Sequence, residues 1–205
     1  MSLNYPKKIE DLIQQFSKLP GVGRKTSERY VFHLIKQSPG QIKLFAKNLN
    51  EILDSFNLCS RCMAFSEKDI CPICSNEKRS DDFLCIVANL QDLNSIENTN
   101  QYDGKYFILN GLINTIENIG PDKLNIKKLV SNVNELLKKH KKIEIILALS
   151  PTIEGEATSL YLKRLLNSPK IKISKLAQGL STGMSLEYVD ESTLSNALKF
   201  RNEVK

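Results

Sequence analysis

The chain has 205 residues, of which 41% are hydrophobic and 25% charged, proportions typical of a globular protein that buries a core. Its longest apolar stretch, residues 143–149, is interrupted by Glu144 and is far shorter than the ~20 residues of a membrane-spanning helix. Residues 1–12 contain no apolar run of the kind that a signal peptide needs. We therefore expect a cytoplasmic protein with no membrane partner, whose five cysteines stay reduced. The formal net charge of +6 weakly favours a polyanionic partner.

The first 57 residues have the apolar spacing of three helices, predicted over residues 9–16, 24–37 and 41–56. Proline–glycine pairs interrupt the pattern between them and predict turns. This segment contains nine lysines and arginines against five acids, so it concentrates positive charge.

Beyond residue 76, short apolar segments alternate with segments of helical spacing. The alternation predicts a mostly parallel α/β sheet. The predicted strands cover residues 83–87, 106–109, 143–149 and 171–176. The predicted helices cover residues 126–139, 157–166 and 191–200.

Four of the cysteines form two Cys-x2-Cys knuckles, at Cys59, Cys62, Cys71 and Cys74. Two such knuckles supply the four thiolates of a tetrahedral site, which Zn²⁺ favours. Because protein ligands fill every position, the predicted zinc is structural. The alternatives are a redox Cys-x2-Cys pair or four unrelated core cysteines. The fifth, Cys85, lies in an apolar strand and is predicted to be a buried core residue.

A Leu-Pro-Gly-Val-Gly string with Gly21 and Gly23 separates the first two predicted helices. Both glycines can adopt positive φ, and the next helix directs free N–H groups at the loop, which suits a phosphate. Arg24 adds charge, while Lys25 and Arg29 share one helix face. These five residues predict a helix-hairpin-helix that grips the DNA backbone. The alternative is an ordinary turn between helices with solvated charges.

A second loop, with Ser150, Thr152, Glu154 and Glu156, follows the strand at residues 143–149. The ends of parallel strands carry sites in α/β sheets. A Mg²⁺ centre needs several converging carboxylates, and only the two glutamates are available here. The simpler interpretation is that they stabilise the start of the next helix. No nucleophile–base pair is evident, so we predict no catalytic residues.

From about residue 5 to residue 200, the order of these motifs resembles the RecR family. The Gln178-Gly179-Leu180 segment and the Leu186–Asp190 segment are similar to the family's C-terminal motif. The resemblance implies a multi-part α/β fold. Its parts would be a helix-hairpin-helix DNA-binding region at 1–57, a four-cysteine zinc finger at 58–76, a Toprim-like domain at 80–176 and a C-terminal oligomerisation segment at 177–205.

The resemblance also implies a Toprim fold without Toprim chemistry. Catalytic Toprim domains carry a glutamate and an Asp-x-Asp where this chain has Ala88, Ser150 and Thr152. The RecR family commonly keeps that glutamate, so Ala88 is a departure. Met184 and Ser185 also stand where the family usually has a glycine and an acid. The implied function is therefore non-enzymatic, and the alternative is a Toprim-type metal-dependent nuclease or topoisomerase-like enzyme.

The family is further implied to form a ring-shaped homotetramer that clamps single-stranded, double-stranded or gapped DNA. Lys25 and Arg29 would face that DNA. The implied partners are the mediators RecO and RecF, which help to load RecA at single-strand gaps. Glu154 and Glu156 are candidates for partner contacts. A third hypothesis is a zinc-stabilised scaffold that touches only proteins.

Overall fold

The protein was analysed as a computed structural model, which describes residues 5–52, 54–201 and 203. The chain divides into two compact units, Met1–Ser55 and Phe56–Lys205. No helix in the described part of the chain is both long enough and apolar enough to cross a bilayer.

The first unit is helical, and its first two helices pack against each other through fully buried Ile13 and Val31. The hydroxyls of Ser17 and Ser27 meet at 2.8 Å in this contact. Ser38 begins the third helix with a capping box, which satisfies two of its free N–H groups. The helices are α1 (Lys7–Phe16), α2 (Arg24–Ile35) and α3 (Pro39–Glu51).

All three predicted N-terminal helices are present, and the third is shorter than its apolar spacing suggested. It ends at Glu51, whereas the prediction extended it to residue 56. Residue 53, which belonged to the predicted helix, lies outside the described residues.

A four-stranded sheet forms the centre of the second unit, and every strand in it is parallel to its neighbours. Its strands are β3 (Ser80–Val87), β4 (Gly104–Ile108), β5 (Ile143–Ala148) and β6 (Ile171–Lys175). The strand order β4-β3-β5-β6 places β3 and β5 side by side at the centre of the sheet. This sheet confirms the predicted parallel α/β architecture.

A small module precedes the sheet and contains the four paired cysteines. Two strands of two residues each, β1 (Asn57–Leu58) and β2 (Phe65–Ser66), pair in antiparallel fashion. The one-turn helix α4 (Pro72–Ser75) begins at Cys71. So few ladder bonds give this module little stability of its own.

Four longer helices follow along the second unit, and one of them was not predicted. The unpredicted helix, α5 (Leu90–Glu97), is capped by Asn89 and buries only Leu93, so it leaves a weak apolar pattern in the sequence. Arg79 holds its last residue by two bonds to the Glu97 carboxylate and also donates to the carbonyl of Gly104. The helices are α5 (Leu90–Glu97), α6 (Ile126–Lys139), α7 (Ile153–Leu165) and α8 (Glu191–Lys199).

The helix α7 begins four residues earlier than its apolar pattern predicted, at Ile153 rather than 157. Thr152 is its N-cap and accepts a hydrogen bond from the backbone N–H of Gly155. A Cβ atom on Gly155 would lie 1.9 Å from the carbonyl oxygen of Ser150. Glycine is therefore required where the end of β5 turns into α7.

Candidate nucleic-acid and metal sites

The four paired cysteines converge on one point. The Sγ atoms of Cys59, Cys62, Cys71 and Cys74 all lie within 4.8 Å of one another, and all four residues are buried. A tetrahedral zinc with Zn–S bonds of about 2.3 Å separates its sulfurs by roughly 3.8 Å, so this cluster fits such an ion. Cys85 lies in β3 at 2% exposure and is not part of the cluster.

Backbone N–H groups donate to two of the four sulfurs, which stabilises the thiolate form of Cys59 and Cys71. The N–H of Cys71 donates to Sγ of Cys59 at 3.3 Å, and the N–H of Cys74 donates to Sγ of Cys71 at 3.4 Å. Hydrogen bonds from the thiols of Cys62 and Cys74 hold the pKa of Cys71 far below its usual range. A preformed thiolate is the form that binds a metal.

The cysteine module is attached to the sheet by a buried lysine. Lys105 on β4 is 8% exposed, and its Nζ donates to the carbonyls of Ile73, Cys74 and Asn76 at 2.7–3.3 Å. The N–H of Ile108 also donates to the carbonyl of Cys62 at 2.9 Å. Sequence reasoning missed Lys105, because its role depends on a contact across about thirty residues that no local spacing reveals.

The glycine loop lies between α1 and α2 as predicted, but only one of its glycines uses positive φ. Gly21 has φ of +73°, whereas Gly23 has φ of −84° and is the N-cap of α2. Gly23 therefore does not use the positive φ that glycine permits, and it serves as the N-cap instead. Among the residues that the structure describes, no atom lies within 4 Å of a Cβ placed on either glycine, so the loop is open to an approaching backbone.

We expect the two glycines to respond differently to substitution. Gly21→Ala should lower the free energy of unfolding by about 1–2 kcal/mol, because alanine is strained at positive φ. Gly23→Ser should leave stability unchanged or raise it by a few tenths of a kcal/mol, since serine supplies the side-chain cap that α2 lacks. Urea denaturation of both variants measures the difference. Equal losses would contradict the assigned backbone conformations.

The basic residues after the loop are not equivalent. The guanidinium of Arg24 donates to both carboxylate oxygens of Glu10 at 2.8 and 3.0 Å and lies 3.3 Å from Glu28. This pairing holds the start of α2 against α1, and the two carboxylates compensate the positive charge of Arg24. Lys25 and Arg29 are exposed one turn apart and form no ion pair with the residues that the structure describes.

At the Toprim-type position, the ends of β3 and β5 carry no carboxylate. Ala88 is 5% exposed, and the hydroxyl of Thr152 caps α7. Glu154 and Glu156 lie in the first turn of α7, where the helix dipole favours negative charge. The backbone N–H of Glu154 and the Thr152 hydroxyl lower the pKa of the Glu154 carboxyl.

An ion pair occupies the cleft beside these strand ends. Lys175, at the end of β6, contacts the Glu156 carboxylate at 2.6 Å. The cleft has a volume of about 770 Å³, and Asp92 and Asp190 also line it. Within the described ranges, the cysteine cluster alone brings three or more metal-binding side chains together. The carboxylates of this cleft therefore do not form a ready-made metal cage.

Comparison with protein families identifies three parts of the chain. Residues 9–53 match the helix-hairpin-helix of RecR, residues 82–177 match the Toprim domain, and residues 179–202 match the C-terminal part of RecR.

Comparison with individual proteins finds relatives that cover nearly the whole chain. The recombination protein RecR of Desulfitobacterium hafniense (strain Y51) is 40% identical over 202 residues, covering 98% of each chain. That of Amoebophilus asiaticus is 41% identical, covering 95% of this chain and 96% of the relative. That of Staphylococcus aureus (strain JH9) is 40% identical, covering 98% of this chain and all of the relative.

Three features define the class of this protein: a helix-hairpin-helix unit, a buried four-cysteine cluster and a parallel Toprim sheet. It is a Toprim protein with a four-cysteine cluster and an N-terminal motif of a nucleic-acid-binding type. Similarity of this extent narrows the class to one family. The chain belongs to the RecR family of recombination proteins.

Proposed function

We propose that this protein is a non-enzymatic DNA clamp of recombinational repair. In this proposal residues 1–57 bind DNA, residues 58–76 hold a structural zinc, residues 80–176 form the Toprim platform and residues 177–205 join subunits. The observation that carries the proposal is the pair of exposed cations, Lys25 and Arg29, on the helix that follows an open glycine loop; neither forms an ion pair within the described part of the chain.

The DNA contact would be to phosphates rather than to bases. Gly21 and Gly23 leave the loop backbone accessible, and Lys25 and Arg29 extend the positive charge along α2. Arg24 would support the site by holding α2 in place through Glu10. Such a grip is independent of sequence and weakens with salt, so it suits single-stranded, double-stranded and gapped DNA.

Exposed apolar surface supports a homotetramer. The helix α3 buries none of its residues, and Leu44 and Leu49 on it are 59% and 56% exposed. The C-terminal segment likewise exposes Tyr188 and Phe200. Because isolated subunits rarely leave such surface in water, two separate self-contacts per subunit are expected, which is what a closed ring of four needs.

The Toprim cleft supports a role in binding proteins. Glu154 is half-buried at the start of α7 and its pKa is lowered, so it is ionised, and Ile153 beside it is 86% exposed. An acid next to an exposed apolar side chain suits a contact with the companion mediators RecO and RecF. Through them the clamp would help to load RecA at single-strand gaps, with Glu156 contributing when Lys175 releases it.

The competing function is a metal-dependent nuclease or topoisomerase-like enzyme. It would need carboxylates where the chain has Ala88, Ser150 and Thr152. The Lys175–Glu156 pair further reduces the negative charge available to Mg²⁺. These features favour the clamp over the enzyme.

The test uses end-labelled gapped DNA with Mg²⁺, analysed on native and denaturing gels. The wild-type protein should shift the DNA in a salt-sensitive manner and leave its strands intact. Lys25→Glu/Arg29→Glu should weaken binding at least tenfold, because two attractive contacts become repulsive. The matched control Lys163→Glu/Lys170→Glu changes the same charge at exposed positions of the second unit and should have a smaller effect.

Two results would overturn the proposal. Mg²⁺-dependent cleavage that co-purifies with the protein would establish the enzyme. Binding that is insensitive to Lys25→Glu/Arg29→Glu would remove the helix-hairpin-helix from the DNA contact.

A further inference from the structure

The largest concentration of charge lies outside the helix-hairpin-helix. Residues 123–142 contain seven lysines and a single acid, Glu135. Their formal charge equals the +6 of the whole chain, so the remaining residues, the basic N-terminal unit included, sum to zero. The lysines are Lys123, Lys127, Lys128, Lys138, Lys139, Lys141 and Lys142.

Four of the seven lysines lie on α6, on the side that faces away from the sheet. The helix buries Leu129 and Val133 against the sheet and leaves its lysines exposed. Lys127 and Lys138 are three helical turns apart, so they lie on nearly the same face at about 16 Å along the axis. The exposed residues between them on that face, Ser131 and Asn134, are polar and uncharged.

Neither ion pairing nor helix stability accounts for this charge. None of the seven lysines forms a salt bridge with the described residues, whereas Lys105, Lys172 and Lys175 do. Lysines in the last turn of α6 interact favourably with the helix dipole and so stabilise the helix. Lys127 and Lys128 lie in the first turn, where positive charge opposes the dipole and disfavours the helix.

The chemistry of the surface indicates what would bind it. A row of exposed cations separated by serine and asparagine matches a phosphate backbone, in which each strand carries one charge per about 3.4 Å of duplex axis. The distance of about 16 Å between Lys127 and Lys138 thus spans about five phosphates of one strand. Residues 108–160 contain no phenylalanine, tyrosine or tryptophan that could stack on bases.

We infer that α6 and its flanking lysines form a second DNA contact, which binds the phosphate backbone of duplex DNA without reading its sequence. This inference rests on the proposed DNA-binding function but not on the helix-hairpin-helix as the binding element. Each of the two compact units would then carry its own DNA contact.

The test measures binding of the full-length protein to a labelled duplex by fluorescence anisotropy over salt concentrations of roughly 50 to 250 mM. The variant Lys127→Gln/Lys128→Gln/Lys138→Gln/Lys139→Gln should bind at least tenfold more weakly. The slope of log Kobs against log[salt] should fall by about two or more, at about 0.9 for each lost phosphate contact. Replacing the same lysines with arginine should preserve both values.

A matched control separates this surface from a general charge effect. Lys68→Gln/Lys78→Gln/Lys163→Gln/Lys170→Gln removes the same charge from exposed lysines elsewhere in the second unit and should change affinity less than twofold. An unchanged affinity and salt slope in the α6 variant would overturn the inference. So would equal losses in the α6 variant and the control.

A third variant, Lys25→Gln/Arg29→Gln, distinguishes the two DNA contacts. If it loses binding while the α6 variant does not, the proposed function stands and this inference fails. If the α6 variant alone loses binding, this inference stands and the helix-hairpin-helix contact fails. If the α6 variant keeps DNA binding but loses affinity for a polyglutamate probe, the surface binds an acidic protein instead and the inference is overturned.

Discussion

Replacing Cys62 with alanine is expected to cause the largest loss of structure of any single substitution in the second unit. The cysteine module has two strands of two residues each and a one-turn helix, so we expect its stability to depend on the proposed zinc. The binding free energy of a structural zinc, about 10–16 kcal/mol in small zinc peptides, is also folding free energy. With three thiolates left, residues 57–76 should unfold locally.

Two measurements follow this loss. Bound zinc, determined by metal analysis of the purified protein, should fall from about one equivalent per chain to a small fraction. Hydrogen exchange at Cys59 and Cys71, whose N–H groups are bonded inside the module, should become fast. Because the ligands bind as thiolates, zinc affinity of the wild type should also fall as the pH is lowered.

Cys85→Ala is the matched control, since it removes a buried thiol that is outside the cluster. It should cost only about 1 kcal/mol of packing and leave the zinc content unchanged. If Cys62→Ala retained a full equivalent of zinc, or if both variants lost it equally, the four-cysteine site would be refuted.

The features that the sequence predicted well depend on neighbours along the chain. Two Cys-x2-Cys knuckles constrain their own sulfur positions, and the apolar runs of β3 and β5 indicate strands that are buried on both faces. The helix α6 was predicted from residue 126 to residue 139, as observed, because its buried residues repeat at helical spacing. In contrast, the short α5 buries one residue and gives no such pattern.

What the sequence could not predict depends on contacts between distant residues. The sequence predicted Arg24 to be a cation available to DNA, but the structure pairs its guanidinium with the carboxylate of Glu10. Glu156 was likewise predicted to be an available acid, but its carboxylate forms an ion pair with Lys175. A count of charges therefore located basic segments but could not say which charges remain unpaired, and it undervalued residues 123–142.

Lys105→Met is expected to have the second-largest effect, on both stability and metal affinity. Methionine has a similar volume but cannot donate, so the carbonyls of Ile73, Cys74 and Asn76 would lose their shared donor. Leaving buried acceptors unsatisfied costs about 1–3 kcal/mol each when water cannot reach them. Since some water will enter, we expect a loss of about 3 kcal/mol in the free energy of unfolding.

The same substitution should also lower the metal affinity, because these carbonyls belong to the knuckle that carries Cys74. Loss of a group that orients a ligand typically lowers metal affinity roughly 10–100-fold. Competition with a chelator of known affinity, alongside urea denaturation, measures both effects on one preparation.

Lys172→Met is the control for Lys105→Met, because it breaks an ion pair that lies at the surface. Lys172 contacts Glu144 at 2.8 Å, but its side chain is 73% exposed against 10% for Lys105. An exposed pair contributes at most about 1 kcal/mol, so this variant should keep its zinc affinity and nearly all of its stability. If Lys105→Met behaved like the control, the cysteine module would be held to the sheet by its apolar contacts and the Ile108–Cys62 backbone bond alone.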